Sequence, residues 1–172
     1  VYFFIFADCR STGRRCHRLE LAGVCMQHID ILLAGLAKTR ENTVEQLQRL
    51  KQSGRKIVGS YCLFAPYELI AAAGAVPVSL CGTSEEPIVH AEKHLPRNLC
   101  PLIKSSYGYA VTGTCPYFFY SDLIVGETTC DGKKKMFELL GKIAPVHVMR
   151  LPQANDRAED VRQWKEEILL LK

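Results

Sequence analysis

Four cysteines are spread almost evenly through the middle of the chain: Cys81, Cys100, Cys115 and Cys130. Their surroundings read LCGTS, NLCPL, GTCPY and TTCDG. Glycine, proline and threonine are turn and helix-start residues. A thiol that only fills space usually stands in an apolar run. These four stand where elements begin or end, so their side chains can be aimed at a ligand. A metal is the natural ligand for such a set, and all-cysteine donors point first to an iron–sulfur cluster. Zinc is the second metal to weigh. Its sites favour short cysteine pairs, and the long gaps here neither support nor exclude it.

The remaining chemistry-bearing residues are read more plainly. Cys62 sits in the apolar run KIVGSYCL and is expected in a strand core. Cys9, Cys16, Cys25 and His17 could hold zinc on paper, but no C-x2-C pair occurs among them. His90 and His94 are four apart, with no third ligand in view, and read as surface residues. His147 is expected in the core. Glu127 and Asp131 flank Cys130, where a carboxyl could hand a proton to a site. Asp131 reads more simply as a helix cap. The segment from Gly126 to Lys134 invites a phosphate-loop reading and fails it. Its glycines are one residue too far apart, and Lys134 stands where Ser or Thr must hold magnesium. No nucleotide is expected on this chain. Lys133, Lys134 and Lys135 read as a solvated helix face or as charge compensation for an anionic site.

These residues must be positioned by a small set of elements. Residues 28–53 carry apolar side chains at spacings of three and four, the mark of a helix. The runs KIVGSYCL, AVPVSL, DLIV and PVHVM are short and apolar, as strands covered on both faces should be. Helical stretches separate them: 66–73, a short one near 89–94, about 98–112 and 131–140. Residues 156–171 form an amphipathic helix. Alternation of this kind implies an α/β fold, a parallel sheet flanked by helices. Ligands of an open parallel sheet bind beyond the carboxyl ends of its strands. Cys81 directly follows AVPVSL, and Cys130 follows DLIV by a few residues. Cys100 and Cys130 also fall at helix starts, where the dipole favours a thiolate. Cys115 follows a helix end and is expected at the opposite rim.

Bulk properties bound the class. The chain has 172 residues, 48% of them hydrophobic, and a net charge of +4. That suits one packed domain and gives no basic stripe for nucleic acid. No run approaches the ~18 apolar residues of a membrane helix. The opening VYFFIF is too short for a signal-peptide core, and Asp8 ends it with no basic region in front. The expectation is a cytoplasmic protein that keeps its eight cysteines reduced. Residues 1–27 are irregular and carry no reading.

The stretches LCGTSEEP, AEKHLPRNLCPLIKSSYGYAVTGTCPYF, DLIVGETTCDGKKKMFELL and PVHVMRLPQ resemble the 2-hydroxyacyl-CoA dehydratase / benzoyl-CoA reductase family. More narrowly, they resemble its double-cubane cluster protein branch. The resemblance covers about residues 54–155. It implies a Rossmann-like (flavodoxin-like) iron–sulfur lobe over that span. Residues 156–172 would then be a C-terminal helix or the start of a link to a second lobe. Cys100 and Cys130 match the ligands of a single [4Fe-4S] cubane. Cys81 and Cys115 are the natural additional ligands of a double-cubane cluster. The resemblance further implies an ATP-hydrolysing iron–sulfur activator protein, a homodimer or a paired family subunit, and a small-molecule or acyl-CoA substrate. The resemblance places further ligands in a second lobe, so the four thiols are expected to be an incomplete set. Three functions follow. The first is a low-potential reductase driven by that activator. The second is a 2-hydroxyacyl-CoA dehydratase subunit acting through a ketyl radical. The third is a truncated non-catalytic lobe or a structural zinc domain.

Overall fold

The structure is a computed structural model that describes residues 18–62 and 64–172. Cys9, Cys16, His17 and the side chain of Cys25 lie outside the described residues, and the paper zinc set with them. The chain divides into two compact units, Val1–Asn42 and Thr43–Lys172.

Helix α1 spans Arg18–Gln52. It begins upstream of residue 28, so residues 18–27 are not irregular as the sequence suggested. Leu, Glu, Ala, Met and Gln in that stretch are strong helix formers, and their propensity carries the helix past the end of the apolar periodicity. In the first unit Ile31, Leu32 and Leu36 are exposed. In the second, Leu47 is buried.

The second unit is an α/β lobe. Strands β1 (Ile57–Ser60), β2 (Val76–Ser79), β3 (Leu123–Glu127) and β4 (Val146–Met149) form one sheet in the order β2-β1-β3-β4. Every neighbouring pair is parallel. Helices α2 (Tyr67–Ala72), α3 (Ile88–Ala91), α4 (Pro101–Thr112), α5 (Pro116–Tyr120), α6 (Asp131–Leu140) and α7 (Ala158–Leu171) complete the lobe. The flavodoxin-like arrangement expected from the sequence is the one observed. Helix α5 has no counterpart in the sequence reading.

The central strands β1 and β3 are buried because both faces of the sheet are covered there. Ile124 packs with Leu80, Ile103, Phe137 and Leu140, the α3, α4 and α6 side. Its neighbour Val125 packs with Val58, Ile70 and Met149, and with Trp164 and Ile168 of α7. Adjacent residues of one strand therefore feed two cores, the period-two rule of a pleated strand.

Two glycines set the approach of the helices. A Cβ on Gly126 would overlap the Phe137 ring, so α6 lies tight on β3. A Cβ on Gly132 would stand 2.8 Å from Cδ1 of both Leu99 and Ile103. That contact brings the first turn of α6 against the first turn of α4.

The strand order has a functional consequence. The chain steps from β1 outward to β2, then crosses back to place β3 on the other side of β1. The connections leaving β1 and β3 diverge and open a crevice at their carboxyl ends, the usual ligand position of this architecture.

Candidate functional site

Three of the four cysteines are the residues that cap helix N-termini. Cys100 caps α4, Cys115 caps α5 and Cys130 caps α6. Pro101 and Pro116 follow two of them as first helical residues, where proline's missing N–H costs nothing. Cys130, rather than Asp131, is the cap of α6; Asp131 is in the first turn, pairs with Lys134 at 2.9 Å and still complements the dipole.

Cys100 and Cys130 are exposed, and neither side chain makes a capping hydrogen bond. Their sulfurs stay uncommitted at two helix N-termini held together by the Gly132 contact with Leu99 and Ile103. Cys115 is half-buried, and its sulfur accepts from Phe118 N at 3.4 Å.

Cys81 is exposed one residue beyond the last β2 bond to β1, Leu80 N to Ser60 O at 2.9 Å. The next residue is anchored: Gly82 N donates to buried Ser106 Oγ of α4 at 3.0 Å. A Cβ there would crowd Tyr109 and Ser105. Tyr61 is buried in the α4–α6 core. Burial pushes its phenol up, and the charges of Cys115 and Cys81 add to the rise. Both thiols thus lie within electrostatic reach of one hydroxyl.

The crevice between β1 and β3 holds a cluster the sequence reading dispersed. Strand β1 ends at Ser60, so Cys62 is not a strand residue as expected. It adopts φ +67°, the sole non-glycine positive φ among the described residues. A side chain in the left-handed region costs on the order of 1 kcal/mol and persists where its surroundings demand it. Here the demand is visible. Lys133 Nζ donates to Cys62 Sγ at 2.6 Å, to Glu127 Oε1 at 2.7 Å and to Thr129 Oγ1 at 2.7 Å, using all three of its protons. Glu127 is wholly buried, and its other oxygen accepts from Thr129 N at 2.8 Å. Burial would lower Lys133, but hydrogen bonds from it to Cys62 and Glu127, with their charges, hold it above its ordinary value. Burial pushes the Cys62 thiol up, against the pull of the Lys133 hydrogen bond and charge, with Cys81 and Glu127 adding to the rise. The group is therefore an ion pair, Lys133 with Glu127, beside a thiol whose acidity burial weakens.

The sequence offered each of these residues under another reading. Lys133 was one lysine in a run of three, Glu127 a flank of Cys130, and Cys62 a core residue. Lys134 and Lys135 do behave as a solvated face, pairing locally with Asp131 and Glu138. The missed signal was spacing: a residue just past β1 meets one at the first turn after β3 wherever β1 and β3 are neighbours.

The histidines stay apart from the thiols. His90 and His94 are exposed. His94 Nδ1 bonds the Tyr107 hydroxyl at 3.0 Å. His147 Nε2 is buried without a hydrogen-bond partner.

The donor set suits a cysteine-ligated cluster in kind. In number it falls short. Among the described residues no group of three or more His, Cys, Asp and Glu side chains stands close enough to hold a metal ion. Also among the described residues, no helix is long and apolar enough to cross a membrane.

Comparison with known proteins adds an independent line. Residues 62–172 match the family model described as 2-hydroxyglutaryl-CoA dehydratase, D-component. A protein of Escherichia coli (strain K12), provisionally named dehydratase subunit YjiM, is 55% identical over 135 residues, covering 78% of this chain and 35% of that one. The (R)-phenyllactyl-CoA dehydratase beta subunit of Clostridium sporogenes is 29% identical over 90 residues, 52% of this chain and 23% of its own. The lactoyl-CoA dehydratase subunit beta of Anaerotignum propionicum is 24% identical over 131 residues, 74% and 34%. The chain thus spans about a third or less of the length of the curated relatives it matches.

Proposed function

Because the chain belongs to the 2-hydroxyglutaryl-CoA dehydratase D-component family, we propose that it forms the thiol-bearing lobe of a dehydratase-type iron–sulfur subunit. The observation that carries this reading is the pair Cys100 and Cys130. Two exposed, uncommitted thiols cap two helices whose first turns touch. Helix N-termini favour thiolate over thiol and accept the net negative charge of a thiolate-ligated cluster. In this reading Cys100 and Cys130 would hold a [4Fe-4S] cluster, completed by donors outside the described residues. Such a cluster, when bound, supplies one-electron transfer at low potential.

Family membership and the relatives' names favour a lyase, the dehydration of a 2-hydroxyacyl-CoA. Those relatives are named as subunits, which supports a second family subunit as partner. An ATP-hydrolysing iron–sulfur activator belongs to the same proposal, since the Gly126–Lys134 segment lacks the spacing to handle a nucleotide itself.

A low-potential reductase with a double-cubane cluster is the second reading. It is favoured by Cys81 and Cys115, which are both within electrostatic reach of the Tyr61 hydroxyl. On both readings the polypeptide keeps Cys100 and Cys130 poised for ligation, and the two differ in whether Cys81 and Cys115 join them.

Anaerobic reconstitution with iron and sulfide tests the proposal, read as iron and sulfide per chain and by electron paramagnetic resonance. Iron bound by the wild-type chain and lost in Cys100→Ala and Cys130→Ala supports the cluster. Loss in Cys81→Ala and Cys115→Ala as well selects the double-cubane reading. Absence of bound iron in the wild-type chain overturns the claim, and tight retention of zinc instead favours a structural zinc domain.

A further inference from the structure

We propose that the cavity between Phe64 and the start of α7 is a binding site for a small alkylammonium ion, its charge beside the Asp160 carboxylate and its apolar tail against Trp164. The cavity has a volume of about 370 Å³ and is lined by Phe64, Leu151, Pro152, Asp160, Val161 and Trp164, among others. Small-molecule sites occupy roughly 300–1,000 Å³. Its walls come from the segment after β1, the segment after β4 and the first turns of α7. That is the carboxyl edge of the sheet, where open parallel sheets take ligands. Trp164 packs on the core of Val58, Ile70 and Met149. Helices α4 and α6, capped by Cys100 and Cys130, pack on the other core. The cavity therefore lies across the sheet from those thiols, and the inference does not rest on the iron–sulfur reading.

Two observations give the ligand its chemistry. The first is an orphan acceptor: Asp160 Oδ2 is buried and has no hydrogen-bond partner. Burying a polar atom unpaired is costly, so it calls for a donor that the polypeptide does not supply. Compensation of the α7 dipole does not explain it, because exposed Glu159 in the same turn serves that end and pairs with Arg162. Arg150, next to the cavity wall at Leu151, is committed to Glu167 at 2.8 Å. The second observation is apolar wall left open: Phe64 is 49% exposed and Val161 60%. Asp160 and Trp164 are four residues apart on α7, so they share one helix face. An ammonium group there donates to Oδ2 and meets an indole π-face, while its tail covers the apolar wall. A neutral ligand lacks that charge, and an anion is repelled by the carboxylate.

Trp164 is the sole tryptophan of the chain, so its fluorescence reports on this cavity. The chain is titrated at neutral pH and constant ionic strength with isoamylamine, isoamyl alcohol and isovalerate. These probes share one carbon skeleton and differ in carrying a positive, a neutral or a negative head. The expected result is a saturable change in Trp164 emission with the amine, at a Kd about tenfold or more below that of the alcohol, the scale of one desolvated cation contact. Isovalerate should give no saturable change. Asp160→Asn should abolish the advantage of the amine and leave the alcohol unaffected, whereas Phe64→Ala should weaken both. Equal binding of amine and alcohol overturns the proposal and leaves an apolar cleft only. Preference for isovalerate overturns it in favour of an acid or acyl site. No saturation by the amine, or an amine preference that survives Asp160→Asn, overturns it as well. The wild-type series decides the matter even where a variant fails to fold. A failure here leaves iron binding by Cys100 and Cys130 untouched, and absent iron binding leaves this site standing.

Discussion

Lys133 Nζ stands 2.7 Å from Glu127 Oε1, and Glu127 has no exposed surface. The carboxylate ends β3 and the lysine lies in the second position after Asp131 in α6. One ion pair therefore joins a strand end to the helix that follows it, and the lysine's remaining protons reach Cys62 and Thr129.

Breaking that pair from one side strands a charge in the interior. Lys133→Met and Glu127→Gln should each destabilise the lobe by about 3–5 kcal/mol, the usual penalty for an uncompensated buried charge. The double variant should recover a large part of the loss, because nothing charged is then left unpaired. Urea unfolding of the four proteins gives the coupling directly. Losses that simply add would show that the pair is not a unit.

The same cluster sets the reactivity of Cys62. Its thiol is raised chiefly by burial, with Lys133 pulling the other way and Glu127 adding to the rise. Lys133→Met should thus shift alkylation of Cys62 to higher pH, and Glu127→Gln should shift it to lower pH. The rate of iodoacetamide modification against pH, followed on the Cys62 peptide, reads both. A raised thiol also binds its proton more tightly folded than unfolded. Its contribution to stability is present below the ordinary thiol value and lost as pH climbs through the folded one. Identical profiles for both variants would remove Lys133 and Glu127 from the account.

How much of this could be read from residues alone differs by element. The four strands follow from apolar runs of four to eight residues, and α6 from Asp131 to its glycine stop, because those signals are local. Helix α5 was missed since PYFFY has neither a polar face nor a periodic stripe. The Cys62–Lys133 contact was missed for a stronger reason. It spans 71 residues and exists only because the sheet order makes β1 and β3 neighbours. Cys100 and Cys130 were legible at helix starts, where Pro101 and Asp131 mark the first turn. That their helices touch depends on Gly132, a close approach no pattern announces.

Asp122 gives the lobe an acid-sensitive joint. Its carboxylate bonds Lys51 Nζ at 2.7 Å, Lys56 Nζ at 3.3 Å and Ile57 N at 2.9 Å. It thereby ties the end of α1 and the start of β1 to the start of β3. Burial alone would raise it; the bonds from Lys51, Ile57 and Lys56 prevail and lower it to about 2. A depressed carboxyl stabilises above its unfolded value and loses that contribution as pH falls through the folded one. Thermal stability should therefore decline as pH is lowered from about 4 toward 2. Asp122→Asn should flatten that part of the curve while lowering the neutral-pH value. An unchanged acid limb in the variant would assign the sensitivity to other carboxyls.

Gly126 offers a test of how tightly the site is framed. It precedes Glu127 in β3, and a Cβ there would overlap the Phe137 ring, which itself is buried in the α4–α6 core. The ring cannot retreat without disturbing Tyr61, whose centroid lies 5.8 Å from it. Gly126→Ala should cost about 1–3 kcal/mol, the range for overpacking a filled core. It should also move α6 away from β3, lengthening the Lys133 contacts to Glu127 and Cys62. The double variant Gly126→Ala/Phe137→Leu frees the ring's space and should restore both stability and the Cys62 alkylation profile. If Gly126→Ala alone unfolds at the wild-type urea concentration, the helix is free to shift on the strand and the framing argument fails.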